Sequence, residues 1–177
     1  MSMPQTQGSL ADTYERDGFV FPLEVMAAAD AHELRKDLER AEAEVKSDPE
    51  ELALLRAYPD RFLPSFDALT RHPAIIDAVT QLLGPDLMVW SAALFSKDAN
   101  SPHVVTWHQD LTYWDLNDVE EVTCWFALSP STKASGCMQF IPGSHKRKAV
   151  DHVDTFSETN LLTRGQEVAV EVNQDDA

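Results

Sequence analysis

Hydrophobic positions in the first half of the chain recur with the period of an α-helix. Over residues 23–45, apolar side chains are spaced three or four positions apart, and charged side chains fill the positions between them. A second helix is predicted over 73–83, where a proline lies in the first turn and Gly-Pro follows the end. A shorter helix is predicted over 9–18, and residues 52–71 are less regular, with two internal prolines. The pattern predicts a helical part over residues 9–86.

After residue 86 the pattern changes to short apolar runs and to strict alternation of apolar and polar residues, which is typical of β-strands. Helices followed by strands favour an α+β or mainly β domain, a β-barrel or sandwich supported by N-terminal helices. We predict one domain over 1–177, with strands over 87–177. The predicted strands, with a short one between the first two predicted helices, are Phe19–Phe21, Leu87–Phe95, Val104–Trp107, Glu121–Leu128, Cys137–Ile141 and Gln166–Val172.

Composition narrows the class of protein. The chain has 177 residues, 44% of them hydrophobic, and a net charge of −16, which disfavours binding to nucleic acid or to anionic membranes. No apolar run is long enough to span a membrane, and no secretion signal is evident. Cys124 and Cys137 form no metal-binding or redox motif, so we interpret them as buried thiols. These features predict a cytoplasmic protein and leave its oligomeric state open.

The densest candidate chemistry lies at the end of the strand predicted over Val104–Trp107. His108 and Asp110 follow it, and residues two positions apart in an extended chain point to the same side. An imidazole and a carboxylate on one side can bind one metal ion. Sites with two histidines, one carboxylate and open coordination positions are typical of non-haem Fe(II) oxygenases. His108 and Asp110 are therefore predicted to supply two of three metal ligands.

A histidine and an aspartate two positions apart form a short motif that also arises by chance. His152 and Asp154 repeat it after the basic residues 146–148, without a sustained strand pattern, so we interpret them as a solvated loop remote from Asp110. His103 is expected at the surface or at the rim of the site. For His145, which ends a Pro-Gly-Ser-His turn, we expect the role of holding that turn.

Three motifs in register carry a resemblance to a known family. They are WHQDLTYW (Trp107–Trp114), CWFAL (Cys124–Leu128) and GCMQFIPGSHK (Gly136–Lys146). In this order and at this separation they resemble the phytanoyl-CoA dioxygenase family, whose members depend on Fe(II) and 2-oxoglutarate. The resemblance implies a double-stranded β-helix, a jelly-roll barrel. It runs from about Tyr14 to the C-terminus and is strongest over Leu94–His145.

The resemblance implies roles for individual residues. His108 and Asp110 correspond to the first two iron ligands, and the presence of the Asp110 carboxylate argues for hydroxylation over halogenation. The resemblance further places four residues near 2-oxoglutarate, namely Trp125, Leu94, Ser96 and, by a weaker correspondence, Arg56. Trp107, Tyr113 and Trp114 are expected to line the substrate entrance. Packing in the barrel core is the alternative for Trp125 and for these three aromatic residues.

The resemblance ends near the C-terminus. The family's third iron ligand is a histidine on a later strand, and an arginine beyond it binds the far carboxylate of 2-oxoglutarate. No histidine follows His152 in this sequence. We therefore expect the chain to be incomplete at the C-terminus, to lack a complete active site, and to turn over 2-oxoglutarate negligibly by itself.

The predicted function is that of a dioxygenase that hydroxylates an unactivated C–H bond of a small organic substrate with Fe(II), 2-oxoglutarate and O2. The sequence does not distinguish a CoA thioester from a free small molecule. One alternative is a jelly roll that binds a metal or small molecule without oxygenase activity, with His145 or His152 recruited as third ligand. The other is an inactive protein that acts only through interactions.

Overall fold

The computed structural model describes residues 8–114, 120–147, 151–154, 156, 158–162 and 164–165. Within these residues, helices come first and a small sheet comes last. The α-helices are α1 (Leu10–Asp17), α2 (Ala28–Val45), α3 (Pro49–Ala57), α4 (Pro59–Phe62), α5 (Pro64–Thr70) and α6 (Pro73–Leu83). Three 3₁₀ helices follow at Asp110–Tyr113, Lys133–Ser135 and Ser144–Lys146, and then strands β1 (Val153–Asp154) and β2 (Arg164–Gly165).

The helix boundaries follow from local side-chain chemistry. Ser9 and Asp12 form a reciprocal capping box at the start of α1, and Gly18 ends that helix in a left-handed conformation at φ 88°. At α6, the His72 side chain accepts a hydrogen bond from the Ala74 backbone N–H, and Pro73 takes the first helical position. The helices predicted over 9–18 and 73–83 are confirmed.

The region predicted to be less regular, residues 52–71, is almost entirely helical. Proline lacks the backbone N–H that an interior helical position needs, but at the first position that N–H has no partner in any case. Pro49, Pro59 and Pro64 each take the first position of a separate short helix. The prolines therefore divide one helical stretch into three helices.

The core of the described chain lies between these helices. Helix α2 packs against α3 and α5, α4 packs against α5, and α1 packs against α6. The periodic apolar positions predicted for α2 face inward, while His32 on the opposite face is exposed as expected. Four buried hydrophobic side chains come from four different helices, namely Leu38, Leu55, Phe66 and Ile75.

The predicted strands correspond to extended segments without a ladder of hydrogen bonds. Among the described residues, the sheet consists of β1 and β2, which pair antiparallel. Outside this sheet, the described residues contain one isolated bridge, which joins Val104 to Asn160 in parallel. A strand requires a neighbouring strand for its backbone groups. Leu94 instead donates its backbone N–H to the carbonyl oxygen of Arg56, at 2.8 Å, in the last turn of α3. The strand assignments at Phe19–Phe21, Leu87–Phe95, Val104–Trp107, Glu121–Leu128 and Cys137–Ile141 are therefore wrong for the structure, and Gln166–Val172 lies outside the described residues.

Burial was also predicted wrongly in this part of the chain. Met88 is 84% exposed and Phe21 is 74% exposed, although both belong to apolar runs predicted as strands, which would pack in a barrel or sandwich. Cys124 is exposed and Cys137 is half-buried, so neither thiol is a core side chain. Without a second sheet layer above them, alternating apolar residues have nothing to pack against. Among the described residues, no helix combines the length and the apolar character that crossing a membrane requires.

The Pro-Gly-Ser-His turn docks onto the C-terminal end of α1. The Gly143 N–H donates to the Asp17 carbonyl oxygen at 2.8 Å, and His145 Nε2 lies 3.0 Å from the Glu15 carbonyl oxygen. A Cβ atom added to Gly18 would lie 2.4 Å from His145 Nδ1, so this close approach requires glycine. The expectation that His145 holds the turn is confirmed, and its contact with Glu15 fixes the turn to α1.

Candidate metal centre

The segment that carries His108 is fixed by a later part of the chain. The Val104 N–H donates to the Thr159 carbonyl oxygen, and the Leu161 N–H donates to the Val104 carbonyl oxygen, both at 2.9 Å. Two residues further on, the side-chain oxygen of Asn160 accepts from the Thr106 N–H at 3.4 Å. These contacts place the end of the extended segment, and thus His108, against residues 159–161.

His108 and Asp110 lie side by side, as predicted from their spacing. The distance from His108 Nε2 to Asp110 Oδ1 is 3.1 Å. Asp110 is the first residue of the 3₁₀ helix Asp110–Tyr113, and this turn directs its carboxylate back toward the imidazole. The proximity is confirmed, although it arises from an extended residue and a helical turn and not from two positions of one strand.

The other ring nitrogen of His108 has a fixed partner. His108 Nδ1 lies 2.7 Å from the Thr106 carbonyl oxygen, which can only accept, so Nδ1 carries a proton and donates it. In the neutral ring, Nε2 then carries the lone pair, and in the protonated ring the Nε2–H donates to Asp110. This is the arrangement of a metal-binding histidine whose other nitrogen is held by a backbone carbonyl.

The carboxylate of Asp110 is held in the same way. Thr123 donates its hydroxyl to Asp110 Oδ2 at 3.1 Å, which leaves Oδ1 directed toward His108. The hydrogen bond with His108, followed by that from Thr123, lowers the pKa of Asp110, and the bond with Asp110 raises the pKa of His108. The hydrogen bond between the two groups thus favours the charged form of each, and a cation bound at the same two atoms would replace its proton.

Glu121 adds negative charge beside this pair. Its pKa is raised by burial first and then by the charge of Asp110. Burial raises the pKa of the Tyr14 hydroxyl, and the charge of Glu121 raises it further. Tyr14, which belongs to α1, is therefore close enough to Glu121 to sense its charge. A concentration of negative charge around one imidazole favours a bound cation.

The two donor atoms are spaced as a metal ion requires. Two ligands that each lie about 2.1 Å from one ion, at right angles, are about 3.0 Å apart. The observed 3.1 Å between His108 Nε2 and Asp110 Oδ1 fits adjacent positions of an octahedral site. Within the described residues, no group of three or more His, Cys, Asp or Glu side chains is placed to hold a metal ion. The described chain therefore brings together the two side chains predicted as ligands.

His152 is not the remote, solvated residue that its charged flanks predicted. It is half-buried, and its Nε2 accepts a hydrogen bond from the Gln109 N–H at 2.9 Å. Gln109 lies between the two predicted ligands in the sequence. Asp154, by contrast, is exposed and accepts from the Phe156 N–H at 2.9 Å. The prediction is wrong for His152 because charged neighbours in sequence do not reveal a contact 43 residues away.

The aromatic residues predicted at the substrate entrance differ in their relation to the site. The Tyr113 ring lies edge-on between two imidazoles, with its centroid 6.0 Å from that of His108 and 5.9 Å from that of His152. Trp107 and Trp114 are half-buried. Tyr113 therefore borders the candidate centre directly, and a substrate contact stays a prediction for all three residues.

Of the residues predicted near 2-oxoglutarate, Trp125 has its side chain 46% exposed, on the same extended segment as Thr123. Leu94 is half-buried and Ser96 is exposed. The Arg56 guanidinium donates to Glu42 on α2, with its Nε 2.7 Å from Glu42 Oε1. Arg56 is thus already paired with a carboxylate, and the role of each of these residues toward 2-oxoglutarate stays a prediction.

The two remaining histidines of interest contribute no further ligand. His145 contacts Glu15 on α1, as described above. His103 is exposed, and its Nδ1 lies 2.7 Å from the Ser101 hydroxyl, so of the two positions considered for it the structure favours the surface.

The sequence of this chain matches a known protein family and several relatives. The family model described as phytanoyl-CoA dioxygenase matches residues 14–176. A Caenorhabditis elegans protein described as a probable phytanoyl-CoA dioxygenase is 27% identical over 124 residues, which are 66% of this chain and 39% of that protein. A Stutzerimonas stutzeri protein described as a probable alpha-ketoglutarate-dependent hypophosphite dioxygenase is 29% identical over 124 residues, 67% of this chain and 43% of that protein. The chain thus spans about two fifths of the length of these relatives.

Two solved structures are also similar to this chain. The non-heme monooxygenase ThoJ in its apo form is 37% identical, with a TM-score of 0.55 over 59% of this chain and 41% of that protein. Its nickel complex gives a TM-score of 0.54 at the same identity. The family implies a double-stranded β-helix fold. In the described residues of this chain, most of the regular elements are helices, and the sheet is the two-stranded one given above.

Proposed function

This chain belongs to the phytanoyl-CoA dioxygenase family, and from that premise we propose that His108 and Asp110 are two protein ligands of a catalytic Fe(II) ion. The observation that carries the proposal is the 3.1 Å spacing of His108 Nε2 and Asp110 Oδ1, with the opposite atom of each side chain already held. The complete protein is proposed to be a 2-oxoglutarate-dependent dioxygenase that hydroxylates a C–H bond of a small organic substrate.

The residues of this chain prepare the centre. The Thr106 carbonyl oxygen keeps the proton of His108 on Nδ1, so Nε2 is the coordinating atom. Thr123 holds Asp110 Oδ2, so Oδ1 is the second donor. A metal ion needs the lone pair of Nε2, so its binding to the protonated form of the pair releases the Nε2 proton to solvent. When bound, Fe(II) with 2-oxoglutarate and O2 supplies the oxidant for hydroxylation.

The remaining site residues are assigned by the family resemblance. We propose that Trp125, Leu94 and Ser96 border the 2-oxoglutarate site. We further propose that Trp107, Tyr113 and Trp114 line the substrate entrance. Arg56 is a weaker candidate, since its charge is paired with Glu42. The relatives are described by chemically unlike compounds, phytanoyl-CoA and hypophosphite, so the shared feature is the oxidation chemistry and not the substrate class.

A metal titration tests the ligand assignment on this chain. Co(II) serves as an air-stable probe for Fe(II), and its visible absorption reports ligand geometry. We expect Asp110→Ala and His108→Ala each to weaken Co(II) binding by about tenfold or more, since each removes one of two protein ligands. Asp154→Ala is the matched control, because it removes the exposed carboxylate of the second His-x-Asp motif. Equal Co(II) affinity for wild type and Asp110→Ala would refute the assignment.

Succinate formation tests the proposed chemistry. In a protein that contains this chain and a complete centre, Fe(II)-dependent conversion of 2-oxoglutarate to succinate is expected, and Asp110→Ala is expected to abolish it. Asp154→Ala should leave it unchanged. Succinate formation that persists in the Asp110→Ala protein would exclude Asp110 as an iron ligand.

A further inference from the structure

Two side chains from one later segment contact the backbone that carries the proposed ligands. His152 accepts a hydrogen bond from the backbone of Gln109, which lies between His108 and Asp110. Asn160 contacts Thr106, two residues before His108. Both contacts join parts of the chain that are 43 and 54 residues apart, so they result from the fold and not from local sequence.

The contact made by His152 fixes the turn at two points. The Gln109 N–H can only donate, so His152 Nε2 must accept, and a neutral ring then carries its proton on Nδ1. That Nδ1 lies 3.1 Å from Thr112 Oγ1 and donates to it. Gln109 immediately precedes the 3₁₀ helix, and Thr112 is its third residue. One imidazole therefore spans the turn that orients Asp110.

The contact made by Asn160 reaches the other ligand. Its Oδ1 accepts from the Thr106 N–H at 3.4 Å, and its Nδ2 donates to Thr106 Oγ1 at 3.1 Å. The Thr106 carbonyl oxygen in turn accepts the Nδ1–H of His108 at 2.7 Å. Asn160 thus holds the residue that sets the ring orientation of His108.

The surroundings of both contacts increase their effect. His152, Asn160, Thr106 and Gln109 are all half-buried, so water competes less for their hydrogen bonds than at an open surface. Removing one partner therefore breaks a hydrogen bond that water replaces only in part. The edge of the Tyr113 ring also lies against His152 and His108, which adds a packing contact across the same turn.

We propose that His152 and Asn160 are positioning residues that preset His108 and Asp110 for metal binding. This inference rests on the proposed function of that pair as ligands. A preset pair binds a metal without first ordering two side chains, and residues behind metal ligands affect affinity for this reason. His152 acts through the Gln109 backbone, and Asn160 acts through Thr106.

The first test measures Co(II) affinity in the full chain. His152→Phe keeps a ring of similar size but removes both hydrogen bonds, and Asn160→Leu keeps the approximate shape without polar atoms. We expect each to weaken Co(II) binding by about tenfold. His152→Gln places a side-chain oxygen near the position of Nε2, and is expected to bind within about threefold of wild type. His32→Phe, at an exposed histidine on α2, is the matched control and should have no effect.

A double variant separates positioning from a general structural defect. If His152 acts through the ligand pair, His152→Phe should add little further loss of Co(II) affinity in the Asp110→Ala background. Equal, additive losses in both backgrounds would overturn the inference. Thermal unfolding of each variant, followed by circular dichroism, shows whether the helical part remains folded.

The second test needs no metal and keeps the inference separate from the proposed function. Amide hydrogen exchange at Gln109 should be at least about tenfold faster in His152→Phe than in wild type, and restored in His152→Gln. The NMR signals of the His108 ring should shift in both His152→Phe and Asn160→Leu. Unchanged Gln109 exchange and unchanged His108 signals would overturn the positioning role. Co(II) affinity that is insensitive to Asp110→Ala would instead contradict the ligand assignment, whatever these signals show.

Discussion

The helical region, residues 10–83, and the site region, residues 104–162, are held together in different ways. In the helical region, side chains from α2, α3, α5 and α6 form a small buried core. Among the described residues of the site region, no hydrophobic side chain is buried to that extent, and Trp125 and Phe140 are 46% and 51% exposed. Burial of apolar side chains therefore stabilises the helical region, whereas the site region depends on another kind of interaction.

Hydrogen bonds between distant parts of the chain order the site region. Residues 104–112 contact residues 152–161 through backbone groups and through the side chains of His152 and Asn160. Such bonds are directional, and each contributes about 1 kcal/mol. The difference between the two regions shows that polar contacts can order the positions of His108 and Asp110 where little apolar surface is buried. It also makes the two regions respond differently to substitution.

The largest expected effect is the loss of a core side chain in the helical region. Phe66 is 5% exposed, and Phe66→Ala should lower the free energy of unfolding by about 3–5 kcal/mol through lost burial and the cavity that remains. Trp90→Ala, at a side chain that is 52% exposed, should change it by about 0.5 kcal/mol or less. Urea unfolding followed by circular dichroism measures both. Similar losses for the two variants would show that the apolar side chains after α6 are buried to the same degree.

An intermediate effect is expected where the two regions meet. Gly18 has φ 88°, and a Cβ there would approach His145 Nδ1 to 2.4 Å, so Gly18→Ala must displace the docked turn as well as strain the backbone. We expect a loss of about 2–3 kcal/mol. Gly143→Ala is the matched control, since φ is 72° and the added Cβ would meet only the Arg16 carbonyl oxygen, at 3.8 Å.

The Gly143→Ala variant should show the backbone strain alone, about 1 kcal/mol. The difference in unfolding free energy between the two alanine variants then measures the contact between Gly18 and His145. If that difference is zero, the turn moves away from α1 at no cost, and the two regions are independent.

The smallest effect concerns the pH dependence of the His108–Asp110 pair in metal-free protein. The pKa of His108 is raised from 6.5, so its contribution to stability is complete below 6.5 and is lost as pH rises through the folded value. The pKa of Asp110 is lowered from 3.8, so its contribution is present above 3.8 and is lost as pH falls through the folded value. The pair should therefore stabilise the chain most between these two ordinary values.

His108→Gln tests this window. Relative to wild type, the variant should be less stable near pH 5.5, by less than about 1 kcal/mol because the pair is partly exposed, and the gap should shrink at alkaline pH. A constant difference between wild type and His108→Gln at all pH values would mean that the hydrogen bond of the charged pair does not contribute to stability.

The helices could be predicted from sequence because their signals are local. A capping residue, a first-turn proline and a terminal glycine lie within the segment that they delimit, as at Ser9, Pro73 and Gly84. The strands could not be predicted in the same way. Alternation over Glu121–Leu128 shows which side chains could share a face, but pairing depends on a neighbouring strand that the segment does not contain.

The candidate site shows the same division. The proximity of His108 and Asp110 followed from their spacing, which is a local property. The contact of His152 with Gln109 did not, because it spans 43 residues and its charged flanks suggested solvent. The sequence signal that could have drawn attention to His152 is its repetition of the His-x-Asp motif shortly after the Pro-Gly-Ser-His turn.

The docking of the Pro-Gly-Ser-His turn onto α1 also has a consequence for the order of events during synthesis. Glu15 and His145 are 130 residues apart. A ribosome that adds roughly 5–20 residues per second needs roughly 6–26 s to make the intervening chain. During that interval the C-terminal end of α1 has emerged before its docking turn exists. In the nascent chain the helix therefore depends on its own capping box at Ser9 and Asp12.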